Sequence, residues 1–325
     1  MKKVYKRIAV IMMIIPLLVL AACSGSDDGS DKESSSSNGD KAKKEPIVFA
    51  DAGWESLRFH NWVARTIIEE GYGYPTDVTQ GSTSVTVLAL QDGDIDVYME
   101  IWKQNIKAAW EKAVDSGTVK KVSVNFDDNV QGFYVPTYVI EGDPERGIKP
   151  MAPELKTTED LAKYADVFDG KLYGSPLGWK AEEIAQQEMK KYGLKEEFKY
   201  IQPGSGASLK KSMVKHYEDG EPWVGYMWGP TWMLGMYDMT YLEGSFPQND
   251  VIVAINKEFG KTAPDVVDFL SNYQTSADIT NAVLSDMHKN DIKAEEKAKE
   301  WLKKNPDIWT EWVPDDVAKK VKESL

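Results

Sequence analysis

The sequence predicts an α/β fold built as two lobes. Short apolar runs alternate along the chain with longer stretches of helical periodicity, an order typical of largely parallel sheets with helices packed on them. Each run passes into loop residues, as Ile47-Val48-Phe49-Ala50 passes into Asp51-Ala52-Gly53. The chain has 325 residues, 42% of them hydrophobic, which is enough for more than one packing centre.

The individual elements follow from periodicity and from the residues that end each run. Residues 55–70 carry an apolar stripe at helical spacing that stops at Gly71. Further helices are predicted at 86–91, 157–168, 180–192, 206–217, 263–273, 276–287 and 291–304. Strands are predicted at 47–50, 95–99, 119–124, 132–140, 172–174, 198–201, 223–227 and 251–256. Residues 157–160, TTED, are typical of a capping-box start.

The N-terminus has the features of a bacterial export signal. Basic residues between positions 2 and 7 precede an unbroken apolar run from Ile8 to Leu20. This run is too short to span ~30 Å of hydrocarbon comfortably, so residues 1–22 are predicted to be a cleaved signal peptide. Leu20-Ala21-Ala22-Cys23 resembles a lipobox, which implies diacylglyceryl transfer to Cys23. We therefore expect a lipid anchor on the extracytoplasmic face of the cell membrane.

A polar segment separates that cysteine from the folded chain. Between Ser24 and Lys44 the only apolar residue is Ala42, so the segment cannot bury enough surface to offset the entropy of ordering it. Residues 23–45 are predicted to be the lipidated cysteine and a flexible tether.

Composition and motifs exclude several classes of function. The formal net charge of −13 argues against a nucleic-acid partner, which requires a basic face. One cysteine and three scattered histidines, His60, His216 and His288, give no metal-ligand spacing, so neither a metal nor another cofactor is expected. No nucleophile elbow, zinc-protease motif or phosphate-binding loop is present, so we expect no enzymatic activity.

Four tryptophans stand where a ligand of an α/β protein would lie. Each follows a predicted strand, and ligands of open α/β sheets bind beyond the carboxyl ends of the strands. The four are Trp54, Trp102, Trp179 and Trp228. Three other tryptophans lie on predicted helix faces and are interpreted as core residues: Trp62, Trp110 and Trp301.

Clustered aromatic rings suit a ligand that carries a quaternary ammonium. A trimethylammonium group has no N–H to donate, but aromatic faces attract it by about 0.5–2 kcal/mol per ring when water is excluded. Three rings supply a few kcal/mol, whereas micromolar affinity needs about 8 kcal/mol. The remainder must come from apolar burial and from the other end of the ligand.

Four segments carry a resemblance to a known family: GDIDVYMEIWKQN, NVQGFYVPTY, YGSPLGWKAEE and DGEPWVGYMWGPTW. They resemble the substrate-binding proteins of glycine betaine/proline betaine ABC importers, the OpuAC-type family. The resemblance implies a periplasmic-binding-protein-like fold of type II that closes on its ligand between two lobes. Lobe 1 would hold residues 46–140 plus 249–325, and lobe 2 residues 141–248. It also implies osmoprotectant uptake through a membrane permease, and we expect a monomer.

The same resemblance implies roles for individual residues. Trp102, Trp179 and Trp228 would surround the ammonium group, and the backbone N–H groups of Lys180 and Ala181 would hold the ligand carboxylate. The latter two open a predicted helix, whose free N–H groups favour an anion. Further candidates for the site are Trp54, His60, Tyr134 and Trp232. Where relatives have Trp-Ser/Thr-Pro at the last tryptophan, this chain has Gly229 before the proline.

Acidic residues near the tryptophans leave the ligand open. Glu100, Glu182 and Glu183 are interpreted either as solvated or cap-stabilising carboxylates, or as groups that face a ligand amine or hydroxyl. The second interpretation would allow choline, carnitine or an amino acid in place of glycine betaine. A ligand-sensing lipoprotein of the same fold is also consistent with this sequence.

Overall fold

The computed structural model describes residues 44–244 and 246–325. The predicted signal peptide, Cys23 and nearly all of the predicted tether lie outside these residues. Within the described ranges, no helix is both long enough and apolar enough to cross a membrane.

Strands and helices alternate through the first part of the chain, as the periodicity predicts. In order they are β1 (Ile47–Asp51), α1 (Glu55–Thr66), a π-helical segment (Ile67–Tyr72), β2 (Thr76–Gln80), α2 (Thr83–Asp92), β3 (Val97–Trp102), α3 (Lys107–Asp115), β4 (Val119–Phe126), β5 (Gln131–Pro136) and α4 (Thr137–Glu141).

The alternation continues to the end of the chain, where helices predominate. The next elements are a 3₁₀ segment (Glu159–Phe168), β6 (Lys171–Tyr173), α5 (Lys180–Lys191), α6 (Leu194–Glu197), β7 (Lys199–Ile201), α7 (Gly206–Asp219) and β8 (Gly225–Trp228). After these come a 3₁₀ turn (Trp232–Gly235), β9 (Met239–Tyr241), β10 (Val251–Asn256), α8 (Phe259–Thr262), α9 (Pro264–Asn272), α10 (Ala277–Asn290), α11 (Ala294–Lys304), α12 (Pro306–Trp309), a 3₁₀ turn (Thr310–Trp312) and α13 (Asp315–Ser324).

The strands form two five-stranded sheets with the same plan. The first has the order β2-β1-β3-β10-β4 and the second the order β7-β6-β8-β5-β9. In the first sheet β1 is parallel to β2 and β3, while β10 is antiparallel to both of its neighbours. In the second, β6 is parallel to β7 and β8, while β5 is antiparallel to both of its neighbours. Each sheet therefore has one reversed strand among otherwise parallel ones.

Each reversed strand is the first strand after the chain crosses from one sheet to the other. The chain leaves the first sheet after Phe126 and enters the second at β5; it leaves the second after Tyr241 and returns at β10. β5 precedes the lobe boundary expected at residue 140, yet it belongs to the second sheet. The residue bounds of the two lobes remain a prediction.

Local predictions differ from the structure mainly where apolar runs are short. The strand predicted at 132–140 ends at Pro136, and the rest of that run is helix α4. Tyr138 and Val139 are buried, as in a strand, but they lie in α4, whose first residue, Thr137, donates its backbone N–H to the Asp238 carbonyl. The helix predicted at 157–168 is a 3₁₀ segment.

The capping pair before that 3₁₀ segment is present. The backbone N–H of Thr157 donates to Asp160 Oδ2 at 3.1 Å, and the Asp160 N–H donates to Thr157 Oγ1 at 3.3 Å. Two orphan donors at the start of the segment are thereby satisfied reciprocally.

Candidate ligand-binding site

A small cavity lies between the carboxyl ends of strands from both sheets. Its volume is about 40 Å³, which is room for about three water molecules at roughly 10–15 Å³ each. Its lining is largely aromatic and apolar: Trp54, Thr83, Val87, Tyr98, Ile101, Trp102, Asn105, Ile106, Trp179, Lys180, Ala181, Tyr226 and Trp228. The space therefore suits a small headgroup with little hydrogen-bonding capacity.

Strand ends and helix starts place four tryptophans around this cavity. Trp102 is the last residue of β3 and Trp228 the last of β8, both in fully buried strands. Trp54 and Trp179 directly precede α1 and α5. We call these four residues the aromatic cage; the first sheet supplies Trp54 and Trp102, and the second supplies the other two.

Ring contacts fix the orientation of the cage. The Trp179 ring meets Trp54 edge to face at 5.6 Å between centroids, and it meets Trp228 edge to face at 4.9 Å. Tyr226 stacks on Trp228 at 5.7 Å, with 18° between the ring planes. Gly206 leaves room for this arrangement, because a Cβ at that position would lie 3.2 Å from Trp179. Several rings thus turn toward one small space.

A buried carboxyl lies behind the first-sheet half of the cage. Glu100 is fully buried on β3, two residues before Trp102, and its Oε1 accepts a hydrogen bond of 2.9 Å from the Ser56 hydroxyl. Burial raises the pKa of Glu100 to about 8, and the N–H groups of Trp54 and Trp102 and the Ser56 hydroxyl oppose this rise. Glu100 Oε2 and Trp54 Nε1 nevertheless have no partner in hydrogen-bonding geometry.

A buried lysine lies behind the other half of the cage. Lys210 on α7 forms an ion pair with Glu55, the first residue of α1. Its Nζ lies 5.5 Å from the Trp228 ring centroid and 5.8 Å from that of Trp232. Burial lowers the pKa of Lys210, while Glu55 acts in the opposite direction.

The start of α5 borders the cavity. Lys180 and Ala181 line it, and no side chain caps the helix at Trp179. First-turn N–H groups have no intrahelical partner and attract anions. The Lys180 ammonium pairs at 2.7 Å with Glu183, whose side chain is 56% exposed. Glu183 therefore lies in solvent rather than in the cavity.

Three of the expected residues lie elsewhere. His60 is fully buried, and its Nδ1 is 2.8 Å from the Tyr273 hydroxyl. Tyr134 packs on Tyr241 inside the second sheet, and Trp232 stacks on His288 at 3.5 Å between centroids. None of the three lines the cavity.

The structure adds residues that sequence reasoning missed. Tyr98 precedes Trp102 by four positions on β3, and Tyr226 precedes Trp228 by two on β8. Alternation along a strand puts each tyrosine on the same face as its tryptophan, and both tyrosines line the cavity. That spacing was a usable signal. Asn105 is less predictable: it lies in the loop after β3, where its amide exchanges hydrogen bonds with Gln131, which also accepts from the Tyr226 hydroxyl.

The described residues contain no candidate metal-binding site. Within residues 44–244 and 246–325, no group of three or more His, Cys, Asp or Glu side chains is placed to hold an ion.

Two α/β sheets that meet at an aromatic cavity define a two-lobed solute-binding protein of the periplasmic type. The family model for the substrate-binding domain of ABC-type glycine betaine transport systems matches residues 45–304. The chain belongs to this family. Its members act outside the cytoplasm and bind small quaternary-ammonium solutes for an ABC permease.

Individual relatives agree with this assignment. The chain is similar to the glycine betaine/carnitine transport binding protein of Listeria monocytogenes serotype 1/2a (strain 10403S), with 27% identity over 133 residues. That match covers 39% of this chain and only 43% of the Listeria protein. A solved ABC-transporter choline-binding protein in an unliganded semi-closed conformation is 26% identical, with a TM-score of 0.69 over 86% of this chain and 98% of that one.

A second solved structure shows the same fold at lower identity. Lactococcal OpuAC in its closed-liganded conformation, complexed with glycine betaine, has a TM-score of 0.72 and 20% identity. The match covers 83% of this chain and all of that one. The expected type II fold is therefore confirmed.

Proposed function

We propose that this protein captures glycine betaine, or a closely related quaternary-ammonium compound, and delivers it to an ABC permease for osmoprotectant uptake. The observation that carries this proposal is the convergence of Trp54, Trp102, Trp179 and Trp228 on one cavity. A trimethylammonium group cannot donate hydrogen bonds, so aromatic faces are its natural partners in a dry site.

The other end of the ligand would be held at α5. A carboxylate there would accept from the backbone N–H groups of Lys180 and Ala181, at the positive end of the helix dipole. The Lys180 ammonium adds positive charge nearby, although Glu183 partly neutralises it. A zwitterion of glycine betaine size would thus have its cation in the cage and its anion at the helix.

A second candidate ligand lacks the carboxylate, as choline does. The observation that favours it is Glu100, a buried carboxyl behind Trp54 and Trp102. Negative charge at that position would favour a net cation over a zwitterion. The names of the relatives include both kinds of ligand, glycine betaine/carnitine and choline.

The test is a titration of the soluble domain, from residue 45 onward, with glycine betaine, proline betaine, choline and carnitine, followed by tryptophan fluorescence. We expect a saturable change at micromolar ligand that is lost in Trp102→Ala, Trp179→Ala and Trp228→Ala. Trp62→Ala is the matched control, because Trp62 lies on α1 under Arg65 and outside the cavity. Folded wild-type protein that responds to none of these ligands would overturn the proposal.

We further propose that the protein binds its ligand without chemical change, acts as a monomer and has no nucleic-acid partner. The aromatic lining supports the first point, since it offers few groups for acid/base work. Recovery of unaltered ligand after long incubation, with a monomeric mass by light scattering, is the expected result. A modified ligand or a stable dimer would contradict it.

The anchor is a separate proposal that depends on the N-terminal sequence. Cys23 follows Leu20-Ala21-Ala22, and a diacylglyceryl group supplies the two chains that stable membrane attachment needs. Cells that express the full chain should retain it in the membrane fraction and incorporate labelled fatty acid. Cys23→Ala should abolish the labelling; labelling that persists would refute the anchor.

A further inference from the structure

Glu100 is a buried carboxyl for which the described fold provides no cationic partner. None of the ion pairs between described residues includes it. Its Oε1 accepts from Ser56, and its Oε2 has no partner in hydrogen-bonding geometry. An isolated ionised carboxylate in a protein interior is strongly disfavoured. In the ligand-free protein this carboxyl therefore holds its proton.

The neighbours of Glu100 on one side are cage residues. Trp54 and Trp102 line the cavity, and their indole N–H groups act on the Glu100 carboxyl. The Trp54 Nε1 atom is itself buried and without a partner. The two indole N–H groups would bind the ionised Glu100 carboxylate more strongly than the protonated carboxyl, because hydrogen bonds to a charged acceptor are roughly twice as strong.

We propose that Glu100 is a specificity-determining residue of this site: a cation in the cage and ionised Glu100 stabilise one another, so that ligand binding releases the Glu100 proton to solvent. This inference rests on the proposed function, because it requires a cationic ligand in the cage. It adds the reason that such a site would favour a ligand with net positive charge.

The other polar groups around Glu100 do not supply this charge. Tyr98 on the same strand and Tyr273 after α9 both have pKa values raised by burial, so they stay neutral up to high pH. His60 on α1 contacts Tyr273, and burial lowers its pKa to about 3, so it is neutral above pH 5. Asp51, at the end of β1, is paired with Arg58.

The direction of the pH dependence follows from the linkage of binding to proton release. In the ligand-free protein Glu100 is protonated below about pH 8. In the ligand-bound protein a smaller fraction of Glu100 would be protonated at the same pH. Affinity therefore rises with pH, by up to about tenfold per unit below pH 8, and levels off above it.

The test is calorimetry with choline and glycine betaine at pH 7, in two buffers of different ionisation enthalpy. Wild-type protein should release close to one proton per ligand bound. Glu100→Gln should release none, its affinity should be constant between pH 6 and 8.5, and its preference for choline relative to glycine betaine should fall. Glu111→Gln, an exposed glutamate on α3, is the control and should behave as wild type.

The outcomes separate this inference from the proposed function. Wild-type binding without proton release, at an affinity constant from pH 6 to 8.5, would overturn the role of Glu100 and leave the quaternary-ammonium receptor intact. Failure to bind any quaternary ammonium would overturn both. The wild-type proton count decides the question even if the Gln variant does not fold.

Discussion

Lys210 and Glu55 form an ion pair that connects the two halves of the molecule beside the aromatic cage. Lys210 lies on α7, which precedes β8 of the second sheet, and Glu55 begins α1, which follows β1 of the first. The lysine is buried with its ammonium near the Trp228 ring, whereas Glu55 directly follows Trp54. This ion pair therefore joins the two sides of the site.

We predict that Glu55→Gln speeds ligand dissociation. The substitution leaves the buried Lys210 charge without its partner, which for a fully buried pair costs about 3–5 kcal/mol. Because the Glu55 side chain is 40% exposed, solvent reduces this, and we expect a dissociation rate about tenfold faster. Stopped-flow fluorescence measures it. Lys210→Met removes the charge together with its pairing and should have the smaller effect. Equal dissociation rates in all three proteins would show that the Lys210–Glu55 ion pair does not retain the ligand.

A substitution at Gly206 should lower ligand affinity without lowering the stability of the fold. A Cβ there would lie 3.2 Å from Trp179 and 4.0 Å from Trp228, so Gly206→Ala should displace the cage and weaken binding severalfold. Alanine is a better helix former than glycine by up to about 1 kcal/mol, so the free energy of unfolding should not fall. Calorimetry measures the ligand affinity, and urea unfolding measures the free energy of unfolding. Weaker binding accompanied by an equal loss of stability would indicate general damage instead.

Glu100 should also leave a signature in the stability of the ligand-free protein. Its folded pKa of about 8 lies above its ordinary value of 4.5. The folded state therefore binds more protons than the unfolded state, and it loses stability as pH rises from 4.5 to 8. Burial lowers the folded pKa of His60 to about 3. His60 therefore makes stability rise with pH, the opposite direction, but only below about pH 6.5.

Between pH 6.5 and 8 the Glu100 contribution should therefore stand alone. At about 1.4 kcal/mol per pH unit, it amounts to about 2 kcal/mol of unfolding free energy lost over this range. Urea unfolding at the two pH values measures the loss, and Glu100→Gln should remove most of it. The same pH slope in wild type and variant would assign the titration to another group.

Much of the fold could be predicted because the strands are short, apolar and separated by clear loop residues. The strand predicted at 251–256 and the helix predicted at 180–192 match β10 and α5 closely. β2, with the sequence TDVTQ, was missed because it is an edge strand with a polar pattern. The antiparallel direction of β5 and β10 was not predicted, because strand direction depends on how the chain crosses between sheets, which local periodicity does not encode.

The part of the candidate site that lies at strand ends could be predicted from the sequence. Trp102 and Trp228 end strands that point at the cavity, so their placement followed from the α/β rule. His60 and Tyr134 do not line this cavity, because His60 lies within α1 beside Tyr273 and Tyr134 lies within β5 against Tyr241. The environment of Glu100 depends on Ser56 and Trp54, which approach it only in the folded protein.

The most direct test of the cage compares glycine betaine with 3,3-dimethylbutyrate, which has the same shape but carbon in place of the charged nitrogen. If aromatic faces hold the ligand by its charge, three or four rings at about 0.5–2 kcal/mol each should make glycine betaine bind at least about tenfold more tightly. Calorimetry on the domain from residue 45 onward gives both affinities. Equal affinities would contradict recognition of the ammonium charge and leave a site that selects by shape and apolar burial alone.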